Sequence, residues 1–281
     1  MMTFFYKGTI QLTKIDSVDL RISPSSVHNH ITGAMNYSRK NVRMIPESRN
    51  SKEKKQARYD FVKKLLTEKI DFMKDCVFID ESGFKKGNLQ RRGYSKRGVP
   101  CVIEVSDSPG VNQSIIGCMS REGLLFLSRH APREDILDHH DQIGSKRKRK
   151  DQHYGTTSTH FRDFIQDLLK VMQELKLENK YIVMDNCSIH HGDGSEDLIA
   201  QSGHTLLFLL PRAPFLNPIE KIWKQIKDEV HRHPLTSNDD LIERIEKAAK
   251  RVSGKNCRGY IRNAMTFFDA CLEKEDIYYD E

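Results

Sequence analysis

Tyr181-Ile182-Val183-Met184-Asp185-Asn186 sets a short apolar run against a carboxylate and an amide of the kind that ends strands. The run is strand-sized, and its neighbours alternate with it. About His160 to Leu175 forms a helical pattern with Phe161, Phe164, Ile165, Leu168, Leu169 and Met172 inward. A short helix around Ser195 to Gln201, a strand from Thr205 to Leu210 and a helix opening at Asn217-Pro218 come after it. Strands alternating with helices predict an α/β molecule with a mixed sheet and helices on its faces.

Upstream, Val77-Phe78-Ile79 is a second apolar strand, ending in Asp80-Glu81-Ser82-Gly83. Glycines and basic residues follow, through Arg91-Arg92-Gly93 and Lys96-Arg97-Gly98. Strand-like runs cover Val99 to Val105, Ser114 to Met119 and Leu124 to Ser128, with Arg121-Glu122-Gly123 as a tight turn between the last two. From Cys76 to His231 this order matches a ribonuclease-H-like mixed sheet flanked by helices. The segment before it is polar and basic. Ser23-Pro24-Ser25-Ser26 opens a helix with a serine cap and an N1 proline, placing Val27 and Ile31 on one face. Lys52 to Lys69 form another, with Ala57, Phe61, Leu65 and Leu66 at helical spacing, and Tyr37 to Asn50 reads as an extended basic connector. A helical pair, Asn238 to Val252 and about Arg258 to Leu272, closes the chain.

Composition narrows the partners without naming one. Lys and Arg total 46 against 39 Asp and Glu, giving +7 and a pI near 9.0, which favours a polyanion such as nucleic acid mildly. A hydrophobic fraction of 37% suffices for a full core. Cys76, Cys101, Cys118, Cys187, Cys257 and Cys271 are scattered with no Cys-x-x-Cys pair. That argues against a zinc finger or a disulfide framework and for buried reduced thiols. The apolar runs are strand-sized, so neither a membrane span nor a signal peptide is expected.

The chemistry is read from three acids. Asp80 and Asp185 each stand where an apolar strand runs out, and carboxylates so placed emerge at the sheet rim where ligands of α/β folds bind. Glu220 lies in the first turn of the helix from Asn217, with thirty-four residues between it and Asp185. Hard cations such as magnesium or manganese take oxygen ligands and keep several waters, so a few carboxylates suffice. Two such ions, roughly 3.5–4 Å apart, clamp the attacking and leaving oxygens of phosphodiester displacement.

Each acid also has a plainer reading. Asp185-Asn186 are common turn residues, and Asp80-Glu81 suit a solvated loop. Asn217-Pro218-Ile219-Glu220 reads as N-cap, N1 proline and N3 glutamate, much like a capping box that needs no metal. Ile219, Ile222, Trp223, Ile226 and Val230 form the apolar face of that helix. Glu220 falls at its edge, with Lys224 and Lys227 one and two turns further along. A carboxylate there suits a metal beside a DNA strand, and equally an ordinary ion pair with Lys224.

Three segments carry a resemblance: Val77-Phe78-Ile79-Asp80-Glu81-Ser82-Gly83-Phe84, Met184-Asp185-Asn186-Cys187-Ser188-Ile189-His190, and Leu216-Asn217-Pro218-Ile219-Glu220 with Trp223. Each resembles the motif around one catalytic acid of the Tc/mariner-superfamily DDE transposases, and the interval between the last two resembles the family spacing. Arg92-Gly93-Tyr94 and Lys96-Arg97-Gly98 resemble the arginine-glycine stretch after the first acid. The resemblance implies a ribonuclease-H-like catalytic domain holding Mg2+ or Mn2+, as two ions, on Asp80, Asp185 and Glu220. It implies cutting of double-stranded DNA at transposon ends by activated water, then attack of the freed 3′-hydroxyl on target DNA, without a covalent enzyme intermediate. It also implies a homodimer.

Two departures accompany the resemblance. Family members carry two helix-turn-helix units before the first acid; here only the end of one is recognisable, at Ile22 to Met35, and residues 1–21 do not supply the other. The loop Leu210-Pro211-Arg212-Ala213-Pro214-Phe215 is shorter than the family pattern and lacks its tyrosine. The expected domains are a partial helix-turn-helix with its basic connector over 1–70, the catalytic domain over 71–235, and a helical extension packed on it over 236–281.

DNA contacts are expected from Arg92, Lys96 and Arg97, from Lys146-Arg147-Lys148-Arg149-Lys150, and from Lys224 and Lys227. The run of five cations also reads as a nuclear localisation signal, so in a eukaryotic cell the chain is expected in the nucleus. His139-His140-Asp141 and His190-His191 lack a ligand spacing, and surface histidines account for them better. Two rival functions share these features. One is a catalytically lapsed, domesticated transposase-derived DNA-binding protein, which the departures favour; the other is a ribonuclease acting on RNA–DNA hybrids.

Overall fold

The computed structural model describes residues 23–38, 45–84, 96–98, 100, 102, 113–129, 158–186, 194–211, 213–232 and 240–278. The chain divides between Ile45 and Pro46 into two units. In the first, the Ser23 side chain accepts from the Ser26 N–H and Pro24 begins helix α1 (Pro24–Asn29), which runs on as a π turn over His30–Ala34. The cap and the N1 proline act as their residue types predict. Val27 and Ile31 stand four residues apart along this helix, and neither is buried, Ile31 being exposed.

The second unit opens with a 3-10 turn (Glu47–Asn50) and helix α2 (Lys52–Thr67), capped by the Ser51 side chain on the Lys54 N–H. Helix α2 buries Arg58, Phe61, Val62 and Leu65, while Leu66, expected inside, is exposed. The inward stripe is therefore rotated towards Arg58 and Val62.

Five strands make one mixed sheet in the order β3-β2-β1-β4-β5. They are β1 (Cys76–Phe84), β2 (Gln113–Ser120), β3 (Gly123–Arg129), β4 (Tyr181–Asp185) and β5 (Thr205–Leu209). The first three are antiparallel neighbours, and β4 and β5 run parallel to β1. Ser120 pairs with Gly123 across the two-residue turn Arg121-Glu122, as expected for a hairpin. Of the strand expected over Val99 to Val105, Pro100 and Val102 are described and neither lies in a strand. Arg92, Lys146 to Lys150, His139-His140-Asp141, His190-His191, Cys101 and Cys187 lie outside the described residues.

Strand alternation sorts the sheet into two cores. Val77, Ile79, Ile116, Cys118, Ile182 and Met184 pack on one side with α3 (Ser158–Glu174) and α4 (Ser195–Gln201). Cys76, Phe78, Ile115, Met119, Val183 and Leu207 pack on the other. That face is covered by α2, α5 (Ile219–Val230), α6 (Leu241–Ala249), α7 (Gly254–Met265) and α8 (Phe268–Leu272). This is the ribonuclease-H-like mixed sheet with helices on both faces. Cys76, Cys118, Cys257 and Cys271 are buried and free, as their scatter predicts. Among the described residues no helix is long and apolar enough to cross a membrane.

Candidate functional site

Strand parity brings two of the three acids to one face. Asp80 shares its face of β1 with Phe78, and Asp185 shares its face of β4 with Val183, so both belong to the side covered by α5. β1 and β4 pair from Cys76–Tyr181 to Phe78–Val183 and then part. The same register carried two residues further sets Asp185 opposite Asp80. Asp185 ends its strand as expected and is exposed. Asp80 does not: β1 continues to Phe84, and Asp80 is a half-buried mid-strand residue paired with Gly117 of β2. The reason is that β2 keeps supplying backbone partners after β4 has withdrawn.

Glu220 is exposed in the first turn of α5, and the capping-box reading of it fails. Pro218 holds the N-cap position and no side chain caps the helix. Asn217 turns inward instead, only 5% exposed, and its Nδ2 donates to the Ile79 carbonyl at 3.5 Å. Its Oδ1 is buried with no partner among the described residues. The loop entering α5 is thereby tied to β1 one residue before Asp80. Behind that loop, the Phe215 ring lies under the guanidinium groups of Arg49 and Arg58, 5.3 and 6.0 Å from its centroid.

Trp223, three residues after Glu220, donates from its indole N–H to Asp80 Oδ2 at 3.1 Å. The ring fits because residue 117 is glycine. A Cβ there would come within 2.6 Å of the indole.

Burial first, then the negative charge of Glu220 and next that of Asp185, push the Asp80 carboxyl up to about 8. Hydrogen bonds from the Glu81 backbone and the Trp223 indole act the other way. A carboxylate held this high beside two others is a site short of positive charge. Three carboxylates from β1, β4 and α5 make a donor set that fits a hard divalent cation. The site is open: among the described residues no three acidic, His or Cys side chains are already gathered closely enough to hold an ion.

Of the expected DNA contacts, Lys96, Arg97 and Lys224 are exposed. Lys227 is half-buried with its Nζ 5.5 Å from the Phe84 ring centroid. Lys224 also lines a groove of about 450 Å³ with Lys221, Gln225, Asp228, Arg232 and Arg251. The sequence named Trp223 as core and Asn217 as cap, and it did not single out Gly117. The available signal was the chain's one tryptophan, placed one helical turn after a candidate acid.

Residues 152–242 match the family described as DDE superfamily endonuclease, a span that contains Asp185 and Glu220. No curated protein matches the chain. Among solved structures, the Mos1 transposase paired-end complex with left transposon end matches at a TM-score of 0.70 and 14% identity, covering 92% of this chain and 72% of that one. The Mos1 mariner paired end complex with Mn gives the same figures. The catalytic domain of Mos1 mariner transposase matches at 0.58 and 10% identity, over 84% of this chain and 98% of that one. At such identities the likeness is one of fold, and it agrees with the sheet order and with the family match. The chain is thus similar to the DDE superfamily endonucleases over residues 152–242 and shares the fold of the Mos1 transposase catalytic domain.

Proposed function

We propose that this chain is a metal-dependent DNA endonuclease and strand transferase that cuts double-stranded DNA at transposon ends and joins the freed 3′-hydroxyl to target DNA. One observation carries the reading. Asp80 and Asp185 lie on the sheet face that α5 covers, Glu220 stands in the first turn of α5, and the charges of Glu220 and Asp185 both raise Asp80. Asp80, Asp185 and Glu220 would hold two Mg2+ or Mn2+ ions, which when bound polarise the phosphodiester and activate the attacking water or hydroxyl. Similar Mos1 structures include a Strand Transfer Complex and paired-end complexes with Mn and with Mg.

The remaining residues position DNA. Lys96, Arg97, Lys224 and Lys227, with Arg92 and the run Lys146 to Lys150, neutralise DNA phosphates. Two copies of the chain bring two ends together as a homodimer. In a eukaryotic cell the same basic run directs the protein to the nucleus.

The test is cleavage of supercoiled plasmid carrying the element's ends, with Mg2+ or Mn2+, by wild type and Asp185→Asn. Wild type should nick and linearise it; the variant should bind DNA with similar affinity and leave it intact. Cleavage retained by the variant removes the assignment. Binding without cleavage by either protein favours the lapsed, domesticated DNA-binding reading, and preferential cutting of an RNA–DNA hybrid favours the ribonuclease.

A further inference from the structure

Trp223 is the single tryptophan of the chain, 1% exposed, and its N–H reaches a carboxylate. A buried indole N–H needs an acceptor, and a backbone carbonyl would satisfy it. Here the acceptor is Asp80, the most buried of three mutually repelling acids. Two further contacts set the ring's place: Gly117, where any Cβ would collide with it, and Phe84, edge-on at 6.2 Å between centroids. Gly117 is also the register partner of Asp80. The indole therefore starts on the helix that carries Glu220, crosses β2 at its one bare position, and ends on the strand that carries Asp80.

We propose that Trp223 is a positioning residue for the metal centre. Its N–H fixes the rotation of the Asp80 carboxylate and sets the spacing between Asp80 and Glu220, so that both present oxygens to the same ion. The inference rests on the metal reading of the three acids. Hydrogen-bond partners of ligating carboxylates govern metal affinity, and removing one typically weakens it 10–100-fold.

Two measurements on the full chain test this with Mn2+ and Mg2+ alone. In the first, Mn2+ binding is followed by electron paramagnetic resonance of the free ion for wild type, Trp223→Phe and Asp185→Asn. Trp223→Phe should bind roughly tenfold more weakly or worse. A purely structural tryptophan would lower the melting temperature and leave Mn2+ affinity unchanged, which overturns the proposal while keeping the acids as a metal site. Wild type failing to bind Mn2+, or Asp185→Asn binding as wild type does, removes the metal reading and the inference with it. The second measurement needs no folded variant at position 223. Trp223 is the sole indole emitter, so Mg2+ should change wild-type fluorescence saturably, at the concentrations at which Mg2+ displaces bound Mn2+. A flat titration in protein that binds Mn2+ overturns the proposal.

Discussion

Asp80 is under tension before any ion arrives, because burial, Glu220 and Asp185 all disfavour its charge. A carboxyl near 3.8 in the unfolded chain and about 8 in the folded one takes up a proton on folding throughout the interval between. Below the lower value both states are protonated and this contribution to stability is complete. As pH rises towards 8 the unfolded chain ionises first, so stability is lost. The metal-free protein should therefore melt at lower temperature at pH 7.5 than at pH 5. Asp80→Asn keeps an acceptor for Trp223 and removes the charge, so it should flatten that slope and raise the melting temperature at pH 7.5. Scanning fluorimetry in a chelator checks both, and a variant less stable than wild type at pH 7.5 contradicts the account. Gly117→Ala acts on the same spot by volume. Its Cβ overlaps the indole at 2.6 Å, an overpacking that costs roughly 1–3 kcal/mol. Denaturant unfolding should show the loss, with the midpoint shifted and the slope unchanged.

At the scale of elements, the loop entering α5 leans on parts of the chain far from it in sequence. Arg58 on α2 donates to Asn50 Oδ1 at 3.2 Å and towards the Glu275 carbonyl at 3.5 Å, and burial lowers its pKa. Asn50 in turn donates to the Ile277 carbonyl and accepts from the Ile277 N–H. This clasp joins α2 to the C-terminal strap beside Phe215, two residues before Asn217. Asn50→Ala strands an arginine and two backbone groups, so it should cost about 1–3 kcal/mol, or roughly 2–4 °C in melting temperature for each kcal/mol. The test is a thermal melt beside Lys64→Ala, an exposed change on the same helix that should leave it nearly unmoved.

The elements themselves were legible because apolar runs and a 3.6-residue period are local signals: α3, β4, β5 and α5 stand close to where the pattern put them. What was not legible depends on distant partners. Nothing near Asp80 says that β2 will carry the strand through Asp-Glu-Ser to Phe84, and Asn217 looks like a cap until Ile79, 138 residues away, claims its amide. The rotated face of α2 has the same origin, since Val62 and Leu66 fit a helical stripe equally well until the core chooses.

For the whole molecule, charge is the property the sequence states most directly and the fold uses most diffusely. A net charge of +7 over 281 residues is modest, so strong DNA binding requires that the cations be concentrated along one path. Five of the 46 Lys and Arg side chains stand consecutively at Lys146 to Lys150, between β3 and α3 in chain order, while Lys224 and Lys227 follow Glu220 on α5. Each phosphate neutralised releases counterions, and the logarithm of affinity falls with that of salt by about 0.9 per contact on duplex DNA. Replacing all five residues of the run by glutamine should therefore weaken binding at low salt and reduce the slope by as much as about 4.5 if every one meets a phosphate. Lys224→Gln with Lys227→Gln should lower it by up to about 1.8 on the same footing. Fluorescence anisotropy with a labelled duplex between 50 and 300 mM salt distinguishes the two paths. A slope untouched by the first replacement but reduced by the second would place the DNA along α5 and leave the basic run to another task.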